Sequence, residues 1–169
     1  AEVHNGSSLF TGDAGSGESN ARRFLIENDL VEAIIALPGN MFYNTTQETY
    51  IWILSNRKPE RRKGKIQLID ATGLKTPLRR NMGKKNCEIS KAQQRVIIDW
   101  LINIAENEYS RILPNEEFGY WKITVLHPKK NEDGTIVTDK RGKKQPNKLL
   151  TETEIVPFSY SGGIDGFLE

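Results

Sequence analysis

VEAIIALPGNMFYNTTQETYIWILSNRKPERRKGKIQLIDA, residues 31–71, decides the fold. It holds three apolar runs, VEAIIAL (31–37), TYIWILS (49–55) and KIQLIDA (65–71). Each is short and nearly continuous in apolar character, as a strand covered on both faces would be. β-branched and aromatic residues dominate the second run, and Pro38-Gly39 closes the first. Ahead of them, GSSLFTGDAGSG (6–17) reads as a loop leading to a helix. Ser16 or Ser19 stands near the cap of that helix, with Ala21, Phe24 and Leu25 on one face. Strand and helix alternating in this way predict an α/β fold with a mostly parallel sheet. The opening residues AEV read as the tail of a further strand, and a chain beginning with Ala1 reads as a piece of a longer polypeptide.

Beyond residue 71, TGLKTPLRRNMGKKNCE (72–88) is polar and reads as a loop. Ser90 and Gln93 form a capping box. Val96, Ile97, Trp100, Leu101, Ile104 and Ala105 then recur at helical spacing, which predicts a helix over 90–107. YWKITVLHP (120–128) reads as a strand. NEDGTIV supplies a turn, and GTIVTDKRGKK a second exposed strand or loop. From Gln145 onward periodicity is weak, though IDGFL suggests the start of a helix.

The totals exclude several classes. The 169 residues carry 27% charged and 37% hydrophobic side chains, an ordinary globular mixture. No apolar run approaches the roughly 20 residues of a membrane-spanning helix, and the N-terminus has no basic-then-apolar signal region. Cys87 has no partner for an internal disulfide, which fits a reducing compartment, and reads as structural or incidental. His4 and His127 have no carboxylate or cysteine at ligand spacing, so no metal site is expected. GDAGSGES (12–19) has the spacing of a phosphate-binding loop, but Glu18 stands where the lysine belongs. A carboxylate there repels phosphate, so this is a Gly-rich entry to a helix.

The net charge of +2 makes no case for a polyanion, but the charge is clustered. NRKPERRKGK (56–65) and LKTPLRRNMGKK (74–85) together hold close to half of the 24 lysines and arginines. Such runs are either solvated loops or phosphate contacts on nucleic acid. On the second reading the candidates are Arg57, Lys58, Arg61, Arg62, Lys63, Lys65, Arg79 and Arg80, and the two clusters share one rim. Between the first two apolar runs, Phe42-Tyr43-Asn44-Thr45 sets two aromatic rings at the mouth of the sheet. They either pack beneath it or lie against something flat.

HNGSSLFTGDAGSGESNARRFLIENDL together with residues 31–71 closely resembles the modification subunits of type I restriction–modification systems, which are DNA adenine-N6 methyltransferases. The Gly/Ser loop, E-S-x-x-R-R, the strand ending at L-P, M-F-Y-N-T and R-K-G-K-[IV]-x-L-I-D-A occur in the family's order. FGYWKITVLHP and TETEIVPF look like its C-terminal region, while 72–88 and 129–147 match less well. The resemblance implies a doubly wound, Rossmann-like catalytic domain that binds S-adenosylmethionine through an F-x-G-x-G loop and catalyses with N-P-P-F. Neither motif occurs here, so the chain resembles the C-terminal part. Residues 1–71 would be the last strands and helix of the methyltransferase sheet. Residues 72–169 would be a C-terminal extension carrying the 90–107 helix and a β-hairpin.

By the same resemblance, Phe42 would form one wall of the pocket for a flipped adenine, with Tyr43, Asn44 and Thr45 beside it. No catalytic residue is expected in the chain, and no cofactor for it alone. The partners would be double-stranded DNA and the specificity and restriction subunits, in the cytoplasm. The competing expectations are a non-enzymatic nucleic-acid or protein-interaction module, and a stand-alone restriction–methylation polypeptide with the same core.

Overall fold

The structure, a computed structural model, describes residues 1–168. In chain order the first elements are β1 (Glu2–Asn5), α1 (Ser7–Phe10), α2 (Gly17–Glu27), β2 (Val31–Leu37), β3 (Thr49–Leu54) and β4 (Lys65–Asp70). Then come β5 (Thr76–Met82), β6 (Lys85–Glu88), α3 (Lys91–Asn103), β7 (Ser110–Pro114), β8 (Tyr120–Pro128), β9 (Pro146–Pro157) and α4 (Gly163–Leu168). The chain divides into two compact units between Phe118 and Gly119. That boundary lies well past residue 72, because β7 pairs with β4 and so ties α3 and everything between them to the first unit.

In the first unit the three apolar runs lie in one five-stranded sheet of order β1-β3-β2-β4-β7. Only β2 and β4 are parallel. The other three pairings, β1 with β3, β3 with β2 and β4 with β7, are antiparallel, so the expected mostly parallel pairing is corrected within an α/β fold. For β2 and β3 the cause is the short 38–48 connection. A parallel return takes a crossover of a dozen or more residues, whereas a shorter one folds the chain back on itself.

Both faces of the sheet are covered. Ile35, Leu37, Ile69, Ala71 and Ile97 form one buried cluster, with Trp100 and Leu101 of α3 packed against it. Val31, Trp52 and Ile66 form another, covered by Leu9, Leu25 and Ile26 of the N-terminal helices and by Phe118. A register irregularity between Val31 and Ala33 parts Val31 from Ile35 and Leu37, as a bulge does.

Local signals set the helix ends. The Ser16 side chain caps α2 by accepting from Ser19 N. The Ser90–Gln93 capping box opens α3, but Ile104 adopts φ 50° and stops the helix short of the expected 107. The polar 72–88 segment, read as a loop, is the hairpin β5–β6, closed by a Gly83-Lys84 turn with Gly83 at φ 63°.

The second unit is a long antiparallel ribbon of β8 and β9, with Tyr120 opposite Pro157 and Leu126 opposite Thr151. β9 occupies residues whose sequence shows no strand period. Val156 is buried, and the Phe158 ring lies against Trp121 with centroids 4.2 Å apart. It also covers Gly119, where a Cβ would come within 2.2 Å of that ring. α4 follows at the place IDGFL suggested. No helix in the described residues is long and apolar enough to cross a membrane.

Candidate nucleic-acid interface

Because β2 and β4 are parallel neighbours, their carboxyl ends lie at the same end of the sheet. Ligands of open α/β sheets bind outside these ends. The 38–48 loop leaves one of them and the β5–β6 hairpin follows the other. Loop and hairpin are bonded together, with Asn86 N donating to Asn40 O (3.1 Å) and Lys84 N to Tyr43 O (3.0 Å). Asn40 Nδ2 donates to Lys84 O (3.0 Å), and the buried Cys87 thiol donates to Gly39 O (3.3 Å). At Gly83 a Cβ would stand 2.7 Å from Tyr43 O, so the close approach requires glycine.

Within the loop, Phe42 bridges to Thr45, which makes 42–45 a tight turn with Tyr43 and Asn44 at its tip. Phe42 belongs to neither core cluster and is 37% exposed, while Tyr43 is 61% exposed. Thr45 is half-buried and its hydroxyl accepts from Gln47 N (3.1 Å), while Asn44 is exposed. Lys85 Nζ lies 5.5 Å from the centre of the Tyr43 ring, in cation–π range. Arg79 and Arg80 are exposed on β5, where the pairing register breaks between Pro77 and Met82. Two aromatic rings and a cationic hairpin therefore occupy one rim. The 72–88 segment concealed this, its one local hint being Gly83 set between two polar runs.

The other basic cluster is elsewhere. Residues 55–64 connect the end of β3 to the start of β4, at the opposite end of the sheet from the aromatic turn. The two clusters do not share a rim, because β3 runs antiparallel to β2. Two candidate phosphate ligands are also withdrawn from solvent. The Lys58 side chain is 2% exposed and pairs with Asp29 (2.6 Å), and it donates to Lys65 O (2.8 Å). Arg62 is buried, donates to Leu101 O and to Gln67 Oε1 (3.2 Å), and has Glu32 at 3.9 Å. It stands at the carboxyl end of α3, where a cation satisfies the helix dipole and its last carbonyls. Gln67 adds a bond to Trp100 O (2.9 Å). Arg57, Arg61, Lys63 and Lys65 are exposed, and Lys63 is paired with Glu60.

Asp29 is the hub of this joint, accepting also from Asn115 Nδ2 (2.9 Å) and Gly64 N (3.1 Å). Burial pushes its carboxyl pKa up, but the bonds from Lys58, Asn115 and Gly64 outweigh that and hold it below the usual carboxylate value. Among the described residues no group of three His, Cys, Asp or Glu is placed to hold a metal ion. The rim sets the exposed Phe42 and Tyr43 rings beside Lys85, Arg79 and Arg80.

Residues 2–134 match the N-6 DNA methylase family. A stretch of 58 residues is 48% identical to the type I restriction enzyme MjaVII methylase subunit of Methanocaldococcus jannaschii, taking in 34% of this chain and 10% of that protein. Over 56 residues the chain is 43% identical to the type I restriction enzyme HindI methylase subunit of Haemophilus influenzae, or 33% of this chain and 12% of that one. Among solved structures it resembles the type I restriction-modification system methyltransferase subunit from Streptococcus thermophilus, with a TM-score of 0.57 and 25% identity. That likeness covers 68% of this chain and 22% of the other. The matched stretches thus span about a tenth of the length of these curated relatives.

Proposed function

Because the chain belongs to the N-6 DNA methylase family, we propose that it is part of a type I modification subunit and forms one wall of the pocket that receives a flipped adenine. In the intact enzyme S-adenosylmethionine supplies the methyl group that passes to adenine N6. An adenine taken out of the duplex must be held flat, and such pockets hold it between aromatic or apolar side chains. Phe42 supplies that surface, with Tyr43, Asn44 and Thr45 around it. Arg79 and Arg80 on the adjoining hairpin engage backbone phosphates and fix register without reading sequence. The partners are double-stranded DNA and the specificity and restriction subunits of the complex. Residues 1–71 form most of the sheet that ends the catalytic domain, and the extension from 72 onward lends that sheet its edge strand β7.

One observation carries the reading. The aromatic turn and the cationic hairpin are hydrogen-bonded into a single rim at the carboxyl ends of β2 and β4. The test is Phe42→Ala in the full-length subunit. Stacking on an aromatic is worth roughly 1–3 kcal/mol per base, so methylation should fall about 5- to 150-fold while cofactor affinity holds. Unchanged methylation would remove Phe42 from the pocket. The chain alone should not hold the cofactor tightly, and calorimetry showing micromolar binding would contradict that.

A further inference from the structure

At the far end of the β8–β9 ribbon, residues 129–145 fold into two successive turns. Lys129 N donates to Gln145 O (2.7 Å), Val137 N to Lys129 O (2.8 Å) and Gln145 N to Val137 O (2.9 Å), so both turns are tied to that end of the ribbon. The first closes at Gly134 (φ 84°) and the second at Gly142 (φ 78°). Six cations stand on this tip, Lys129, Lys130, Lys140, Arg141, Lys143 and Lys144, against Glu132, Asp133 and Asp139. The excess there is larger than the net charge of the whole chain.

Two of the three carboxylates are engaged by the turns themselves. Asp139 Oδ1 accepts from Arg141 N (2.8 Å) and Lys143 N (2.9 Å). Asp133 Oδ1 accepts from Thr135 N (3.0 Å) and Oγ1 (2.6 Å). These two aspartates therefore hold the backbone of the turns, while all six cations are exposed. This is the reverse of the 55–64 cluster, whose Lys58 and Arg62 are buried in the fold. The glutamates of β9, Glu152 and Glu154, lie along the shaft, so positive charge is confined to the tip.

We propose that this tip is a phosphate-contacting element for duplex DNA, a second contact separate from the aromatic rim; it deepens the DNA-binding reading above and rests on it. Residues 129–145 contain no aromatic side chain, and Ile136 is the one large aliphatic exposed there among the described residues. A protein partner would call for aromatic or aliphatic anchors at the centre of its interface. A single strand would call for rings on which bases stack. A uniform polyanion needs neither, and a two-stranded ribbon has the width to enter a major groove. Because the turns are already ordered, the backbone that carries the cations needs little further ordering on binding.

The experiment measures affinity of the chain for a short duplex of arbitrary sequence by fluorescence anisotropy across a salt series. The comparison is with the variant Lys140→Gln, Arg141→Gln, Lys143→Gln, Lys144→Gln. Each lost phosphate contact lowers the slope of log affinity against log salt by about 0.9. Four should make it shallower by about 3.6 and reduce low-salt affinity at least ~10-fold. The charge-keeping variant Lys140→Arg, Lys143→Arg, Lys144→Arg should bind as the parent does. An unchanged slope in the glutamine variant overturns the proposal. So does undiminished duplex binding accompanied by lost binding to polyglutamate, which would mark an acidic protein as the partner. Methylation by Phe42→Ala is a separate readout, so the two readings fail independently.

Discussion

Lys58 separates two opposed readings of the same basic cluster, and the buried pair it forms gives the cost of removing it. Its ammonium donates to Asp29 at 2.6 Å and to Lys65 O at 2.8 Å, with the side chain 2% exposed. Hydrogen bonds to charged groups contribute about 1.5–3 kcal/mol net. Lys58→Ala removes both and leaves Lys65 O short of a donor, but Asp29 keeps its bonds from Asn115 and Gly64 and is 30% exposed, so water recovers part of the loss. The expected cost is about 2–4 kcal/mol. Asp29→Ala should cost more, about 3–5 kcal/mol, because it strands a buried ammonium. The double variant should lose less than the sum of the singles, as coupled partners do. Urea denaturation followed by circular dichroism gives all three values, and duplex affinity is measured on the folded fraction. A Lys58→Ala variant of unaltered stability and weakened DNA binding would refute the structural assignment and return Lys58 to the phosphate ligands.

Gly83→Val should detach the hairpin from the aromatic turn, since its Cβ would meet Tyr43 O at 2.7 Å and its φ of 63° disfavours a branched residue. A cost of about 1–3 kcal/mol is expected. Amide exchange should accelerate at Lys84 and Asn86 while β2 and β4 stay protected; unaltered exchange would show that the two elements are not joined. Acid should weaken the first unit in a defined window. The Asp29 pKa is lowered in the fold, so its contribution is present above the ordinary carboxylate value and is lost as pH falls through the folded value. Unfolding free energy should therefore decline below about pH 4. That slope should flatten in Asp29→Asn, and a persistent slope would assign the acid sensitivity to other carboxylates.

What was legible in the sequence was local. The runs at 31–37, 49–55 and 65–71, the Ser16 cap and the Ser90–Gln93 box each carry their signal within a few residues. Strand direction does not, although the shortness of the 38–48 connection already argued for reversal. The fate of the basic cluster was hidden more deeply. Lys58 meets an aspartate 29 residues away and Arg62 a carbonyl 39 residues away, so nothing near them in sequence distinguishes them from the exposed Arg57 and Arg61. β5 and β6 escaped notice because a two-stranded hairpin open to water needs no apolar period. Its place against the turn depends on backbone bonds that composition does not record.

The bonded rim also divides the work between its two rings. Phe42 pairs with Thr45 across the turn, whereas Tyr43 sits at its tip. Lys85 stands over the Tyr43 ring, and the hairpin that carries Lys85 also bonds to the Tyr43 carbonyl. One face of that ring is thus committed to a cation, and its hydroxyl favours a polar neighbour. Phe42 has no polar atom to satisfy and stands outside both core clusters. On the proposed function, the flat contact with a base therefore falls to Phe42, and Tyr43 belongs to the joint between loop and hairpin. Phosphates held by Arg79 and Arg80 would then orient, through that joint, the same turn that presents Phe42. On that function, the position of the stacking surface would be coupled to the position of the DNA backbone.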